Sequence, residues 1–306
     1  MIERLRVNLA SVVLGKKDVI EKCLVALLAG EHLLLEDVPG VGKTLIGKAL
    51  AKSVAGEFAR IQFTPDLLPS DILGSSVFHT QRGEFVFHRG PLFANIVLAD
   101  EINRAPPRTQ SALLEAMSDR QVSTDRVTHA LPHPFMVIAT QNPFEFEGTY
   151  ALPESQLDRF LMRVSIGYPD AQQEREVLRS HRSGEPVDDL EPVLTCEQVG
   201  RLQELVRTVR VDSAIDDYLL EIIHATREHP DLHVGVSTRA GLSLYRAAQS
   251  LAMVSGRDYV VPDDVKQLAV PALAHRVLMR GFQHSGRRDA AEQLISDLVQ
   301  AIAVPA

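Results

Sequence analysis

The apolar run His32-Leu33-Leu34-Leu35 gives way to Glu36-Asp37-Val38-Pro39-Gly40-Val41-Gly42-Lys43-Thr44, and the helix-like run TLIGKALAKSV follows up to Val54. Few features constrain a chain more than a strand that turns through glycines directly into a helix. In that setting Gly40-x-Gly42-Lys43-Thr44 is suited to cradle phosphate. The glycines let backbone N–H groups turn toward an anion, Lys43 reaches β- and γ-phosphates, and the Thr44 hydroxyl ligates Mg²⁺. The nucleotide-binding set is therefore Pro39, Gly40, Val41, Gly42, Lys43, Thr44 and Leu45. Asp37 stands where the pattern G-x-x-x-x-G-K-[ST] asks for its first glycine. Aspartate tolerates left-handed backbone better than most residues, so the turn survives. Its carboxylate has to point away from the phosphates, which it would otherwise repel.

A chain of 306 residues can bury a large core and has room for two domains. The N-terminus MIERLRVNLASVVLGKK has no long apolar core of the signal-peptide kind. Runs such as LVALLAG fall far short of the roughly 20 apolar residues a membrane span needs, so a cytoplasmic chain without a span is expected. Cys23 and Cys196 are isolated on helix-like segments and read as buried thiols rather than a disulfide or metal pair. A net charge of −8 argues against a constitutive nucleic-acid coat and leaves a local basic groove open.

Three apolar strand signals end in polar residues: HLLLE (32–36), NIVLAD (95–100) and FMVIAT (135–140). Further strands are expected near Arg60–Phe63 and in MRVSIGYP (162–169), and helical patterns such as TQSALLEAMSD (109–119) separate the runs. Strands alternating with helices predict an α/β fold with a mostly parallel sheet, whose ligands bind beyond the carboxyl ends of the strands. After Pro169 the pattern turns helical. Thr195 and Gln198 form a capping box, and helices are expected near Ile215–Arg227, Thr238–Val254 and from Pro262. The polar, proline-bearing stretch 183–192 reads as a linker. The tail from Met279 is weakly amphipathic. Residues 1–170 are thus expected to form an αβα domain, and 171–306 an all-α domain with the tail. Segments 74–90 and 120–132 read as β-hairpins, the first from alternating Val77, Phe85 and Phe87 around Gln81-Arg82-Gly83.

Asp100 and Glu101 close a strand about 55 residues after the phosphate loop. Asp100 there can hold the Mg²⁺ water shell, and Glu101 can polarise a water for attack on the γ-phosphate. Asn142 ends the next strand signal; it can sense the γ-phosphate, form an Asx turn before Pro143, or do both. Arg159 in PESQLDRF can neutralise charge on a transferring phosphoryl group, or pair with Asp158 or Glu154. Arg163, Arg104 and Arg108 are rivals for that role. Arg239 opens a helix, where it either couples the second half of the chain to the phosphates or is simply solvated. His224, His229 and His233 lack the tight spacing of a zinc site, and His129 and His133 only flank a proline turn.

Together these sites resemble the AAA+ ATPases, and longer stretches narrow the match. HLLLEDVPGVGKT, FTPDLLPSDILG, GPLFANIVLADEINRAPPRTQSALLEAM, ATQNPFEFEGTYALPESQLDRFLMRVSIGYP and STRAGLSLYRAAQSLA look like the MoxR family over roughly residues 7–280. The resemblance implies an αβα nucleotide-binding domain and a helical lid, with Asp100 serving Mg²⁺ and Glu101 activating water. It also implies Asn142 as sensor 1, Arg159 as arginine finger and Arg239 as sensor 2. Asp37 fits the acidic pair that MoxR-like chains carry before the loop. In similar proteins hairpins at 74–90 (a helix-2 insert) and 120–132 (before sensor 1) lie near a ring's central face. Plain sheet-edge hairpins remain the alternative. Val13 and Leu14 either line an adenine pocket, as the equivalent segment does in AAA+ proteins, or make a core contact. The implied activity is Mg²⁺-dependent ATP hydrolysis by a homo-oligomeric, hexameric ring. The implied partners are client proteins, often with a von Willebrand factor A domain, matured by remodelling or metal insertion. A nucleic-acid motor and a nucleotide-gated scaffold with little turnover are the rival functions. DNA-stimulated ATPase activity would favour the first; turnover abolished by Glu101→Gln would reject the second.

Overall fold

The computed structural model describes residues 1–305 except Pro39, Arg82, 143–148, His181, Ser183 and 282–286; of Arg287 only the backbone is described. Two compact units emerge, each from interleaved segments rather than from one cut: residues 1–20, 32–152 and 165–200 form the first, and 21–31, 153–164 and 201–306 the second.

The first unit holds strands β1 (Leu33–Glu36), β2 (Phe58–Gln62), β3 (Gly74–His79), β4 (Glu84–Arg89), β5 (Ile96–Asp100), β6 (Gln121–Thr124), β7 (Val127–Ala130) and β8 (Met136–Gln141). Within this unit the parallel sheet runs in the order β2-β5-β8-β1. Apolar content sets that order. Leu33–Leu35, Ile96–Ala99 and Met136–Ala139 are buried throughout, as parallel strands covered on both faces must be. In β2 only Ile61 is buried, so it suits an edge. Register brings the strand ends level: Gln62 lies beside Asp100, and Glu36 beside Gln141. Strands β1, β5 and β8 run apolar inside the layer and turn polar where they emerge, and that edge carries the chemistry.

The two antiparallel pairs β3–β4 and β6–β7 stand apart from this sheet. His129 of β7 stacks on Phe87 of β4 with ring centroids 4.2 Å apart, tying the hairpins together. The alternation of Val77 and Phe85 that signals the first hairpin does not mark core, because both side chains are exposed. The stretch expected to be a linker is not one. Val187 is fully buried, Lys52 donates to the Asp188 carbonyl (2.8 Å), and the N–H groups of Val193 and Leu194 donate to the Ser53 carbonyl. One buried valine and this backbone pairing outweigh the polar composition.

In the second unit the helices Ser213–Glu228, Thr238–Val254, Pro262–Leu273 and Arg287–Ala301 pack together. The tail helix contributes Ala291, Leu294, Ile295 and Val299 to the core. Strand β9 (Met162–Val164) packs on Pro262–Leu273, and β10 (Leu232–Val234) pairs antiparallel with β11 (Leu278–Met279), a small ladder that the helical reading lacked. Among the described residues no helix is long and apolar enough to cross a membrane.

Candidate active site

Beyond Glu36 the chain enters the glycine loop. Gly40 and Gly42 take φ of 84° and 93°, and a Cβ on either would meet nothing within 4 Å. The glycines are therefore required by backbone conformation, and the open space beside them admits a ligand. Gly42 is the N-cap of the helix Lys43–Ser53, and no side chain among the described residues caps it. Its first-turn N–H groups thus lack intrahelical partners and carry the positive end of the helix dipole. That combination binds anions. Lys43 Nζ donates to the Asp37 carbonyl at 3.0 Å, which holds the ammonium beside the loop. Pro39 lies outside the described residues.

The Asp37 carboxylate is engaged elsewhere. One oxygen accepts from the N–H groups of Ile166 (2.6 Å) and Gly167 (2.7 Å) and from Ser165 Oγ (3.0 Å); the other accepts from Val38 N–H (2.8 Å). Burial acts to raise its pKa, yet the donors Gly167, Val38, Ile166 and Ser165 together hold it below the usual carboxylate value. In place of a glycine, the chain has an acid that pins the loop to residues 165–167.

Asp100 and Glu101 form the opposite wall. Thr140, fully buried at the end of β8, joins them: its hydroxyl donates to Asp100 Oδ1 (2.6 Å) and accepts from the Glu101 N–H (2.8 Å). Asp100 Oδ2 receives Arg60 at 2.6 Å. Glu101 sits at φ 57°, ψ 50°, a left-handed conformation uncommon outside glycine. Its carboxylate accepts from Gln62 Nε2 (2.7 Å) and lies 3.2 Å from Arg104 Nε. Arg60 and Gln62 were not singled out from sequence. Their signal was there: they alternate on an edge strand, so both side chains share one face, Gln62 level with Asp100 and Arg60 with Leu98. Thr140 carried a similar signal, as the first polar residue of an otherwise apolar buried strand.

These groups converge. A cavity of about 560 Å³ is lined by Gly40, Val41, Gly42, Lys43, Thr44 and Leu45, by Asp100 and Glu101, by Arg60 and Gln62, and by Val13 and Leu14. Its size is that of a small-molecule pocket, and its lining combines apolar residues with phosphate donors. Asn142 is not among the lining residues; it follows β8 directly, at the same strand-end edge. Arg159 and Arg239 belong to the second unit, as does Arg163, which pairs with Glu292 at 3.1 Å. Arg104 faces Glu101 of its own chain, and Arg108 is exposed at the start of the helix Pro107–Asp119.

The residues fit Mg²⁺ held with a triphosphate. Thr44 and Asp100 both line the cavity and offer hard oxygen ligands. Mg²⁺ is commonly held by one or two protein oxygens plus phosphates and water. Arg60 on Asp100 Oδ2 and the Thr140 hydroxyl on Oδ1 both compete for that carboxylate.

Comparison with known proteins agrees with this geometry. The ATPase family associated with various cellular activities (AAA) matches residues 32–162, and the AAA lid domain matches 224–298. The uncharacterized protein YeaC of Bacillus subtilis is 49% identical, with 96% of this chain and 92% of that protein aligned. Chaperone MoxR1 of Mycobacterium tuberculosis is 42% identical, with 99% of this chain and 82% of that protein aligned. A crystal structure from Cytophaga hutchinsonii, designated a candidate ATPase, superposes with a TM-score of 0.90 at 37% identity, covering 100% of this chain and 95% of that one. A phosphate loop, an acidic strand end and a helical lid, aligned with these relatives over nearly the whole chain, show that the chain belongs to the MoxR family of AAA+ ATPases.

Proposed function

We propose that the chain hydrolyses ATP with Mg²⁺ in the cytoplasm as a homo-oligomeric, hexameric ring, and uses the cycle to remodel client proteins. The convergence of the glycine loop, Lys43, Thr44, Asp100 and Glu101 in one cavity carries this reading. The loop N–H groups and Lys43 would hold the β- and γ-phosphates, and Val13 and Leu14 the base. Thr44 and Asp100 would hold Mg²⁺, whose charge offsets that building on the phosphoryl oxygens. Glu101, oriented by Gln62 and Arg104, takes a proton from the attacking water as the bond between the γ-phosphorus and the ADP oxygen breaks. Asn142 and Arg239 would read the γ-phosphate, and Arg159 would reach the neighbouring subunit's site. The name of Chaperone MoxR1 supports a client-directed role, and von Willebrand factor A domain proteins are the client class we propose, with metal insertion as one outcome.

Subunit mixing tests the reading. Glu101→Gln and Arg159→Ala variants should each bind ATP and turn over at least about 10²-fold slower than the parent. Mixed, they should regain part of the activity, because some sites combine an intact Glu101 with a neighbour's intact Arg159. Full activity of assembled Arg159→Ala would remove the finger role, and full activity of Glu101→Gln would remove the water-activating role.

A further inference from the structure

Arg159 leaves the chain from a short turn, and the residues on both sides of it are gripped by one buried side chain. Arg276 lies in a 3₁₀ turn after the helix Pro262–Leu273, and its side chain is only 2% exposed. Its Nη2 donates to the Phe160 carbonyl at 2.7 Å and to the Asp158 carbonyl at 3.1 Å. Its Nε lies 3.3 Å from Asp158 Oδ1. His275 Nε2 adds a second bond to the Phe160 carbonyl at 3.1 Å, and the Phe160 ring is fully buried. Arg159 itself is half-buried, between these two fixed neighbours.

The same Asp158 carboxylate meets Arg239 only at 3.9 Å, from a side chain 56% exposed, so Arg276 is its principal partner. A buried guanidinium is costly unless paired and hydrogen-bonded. Here two carbonyls from the residues flanking Arg159 accept from Nη2, and the Asp158 carboxylate faces Nε as an ion pair, while Nε and Nη1 make no hydrogen bond among the described residues. A planar guanidinium spans such acceptors with a fixed geometry that an ammonium lacks.

We propose that Arg276 is the positioning residue for Arg159: it clamps the 158–160 turn so that the Arg159 guanidinium is presented in one orientation to the neighbouring subunit's phosphates. The inference rests on the finger reading of Arg159 given above. A group displaced by about 1 Å from its productive place loses about 10²-fold in rate, so the clamp should act on kcat and leave ATP binding alone.

The test uses the full chain and ATP. Arg276→Gln should lower kcat about 10- to 100-fold with KM for ATP little changed, and Arg276→Lys should restore only part. In an Arg159→Ala background, Arg276→Gln should cause no further loss. Mixing should place Arg276 in the same complementation group as Arg159: Glu101→Gln subunits rescue Arg276→Gln, and Arg159→Ala subunits do not. Rescue by Arg159→Ala, an additive loss in the double variant, or an unchanged kcat would each overturn the clamp. Should Arg276→Gln fail to fold, Asp158→Asn weakens the same clamp from a partly exposed side chain. It goes through the same mixing, where the same outcomes support or overturn the clamp. If Arg159→Ala alone is fully active, the finger reading fails first and takes the clamp with it. If Arg159→Ala is inactive and Arg276→Gln active, only the clamp fails.

Discussion

His32 shows how a polar residue comes to sit inside an apolar layer. It precedes β1, is nearly fully buried, and spends both ring nitrogens on backbone: Nε2 donates to the Met117 carbonyl (3.1 Å) and Nδ1 accepts from Val137 N–H (3.0 Å). Burial pushes its pKa down to about 4; the Met117 bond opposes this and the charge of Arg120 adds to it. The ring is therefore neutral when folded, while the unfolded chain takes up a proton near pH 6.5. Between those values the unfolded state binds more protons, so stability falls as pH drops through 6.5 toward 4. Denaturant titration should find the first unit about 2 kcal/mol less stable at pH 5 than at pH 7.5 on this account. A His32→Gln variant should lose most of that difference. The acids of the site follow the same logic of fixed partners. Asp37 is legible as an oddity in the glycine pattern, but only the backbone of residues 166 and 167 explains it.

Among the elements, those governed by local rules were the most readable. The helix Thr238–Val254 has the bounds its pattern predicts, with Ser237 accepting from Ala240 N–H at its start and Gly256 at φ 78° beyond its end. The capping box is formed too: Gln198 N–H donates to Thr195 Oγ1 (3.2 Å) and Thr195 N–H to Gln198 Oε1 (2.9 Å), opening the helix Cys196–Val206. Thr195→Ala should cost about 1 kcal/mol of stability, readable by denaturant titration, without altering ATPase activity. The stretch 183–192 was less readable, because composition reports average polarity while one buried valine decides where the backbone lies. The β10–β11 pair escaped notice for a related reason. Two strands of three and two residues are too short to carry a period, and they exist because distant segments meet.

At the scale of the molecule, the proposed site is complete only in an assembly, since Arg159 is read as serving a neighbour. Activity per subunit should therefore fall steeply on dilution below the assembly concentration, in step with loss of the oligomer followed by light scattering. Dilution that dissociates the oligomer and leaves specific activity constant would exclude a trans-acting arginine. The family, the αβα layer, the phosphate loop and the acidic strand end all follow from residues close together in the chain, where apolar period, glycine conformation and strand–loop–helix order are local properties. The partners that orient the chemistry do not. Thr140 reaches Asp100 across 40 residues, Arg60 meets Asp100 across 40, Gly167 meets Asp37 across 130 and Arg276 meets Phe160 across 116. Such contacts exist because β5 lies between β2 and β8 and because helices of the second unit fold back on residues 158–160. Strand order and chain return are set by the packing of whole elements, which no window of sequence contains. The sequence by itself determined what chemistry is present; the tertiary structure decided which side chains hold it in place.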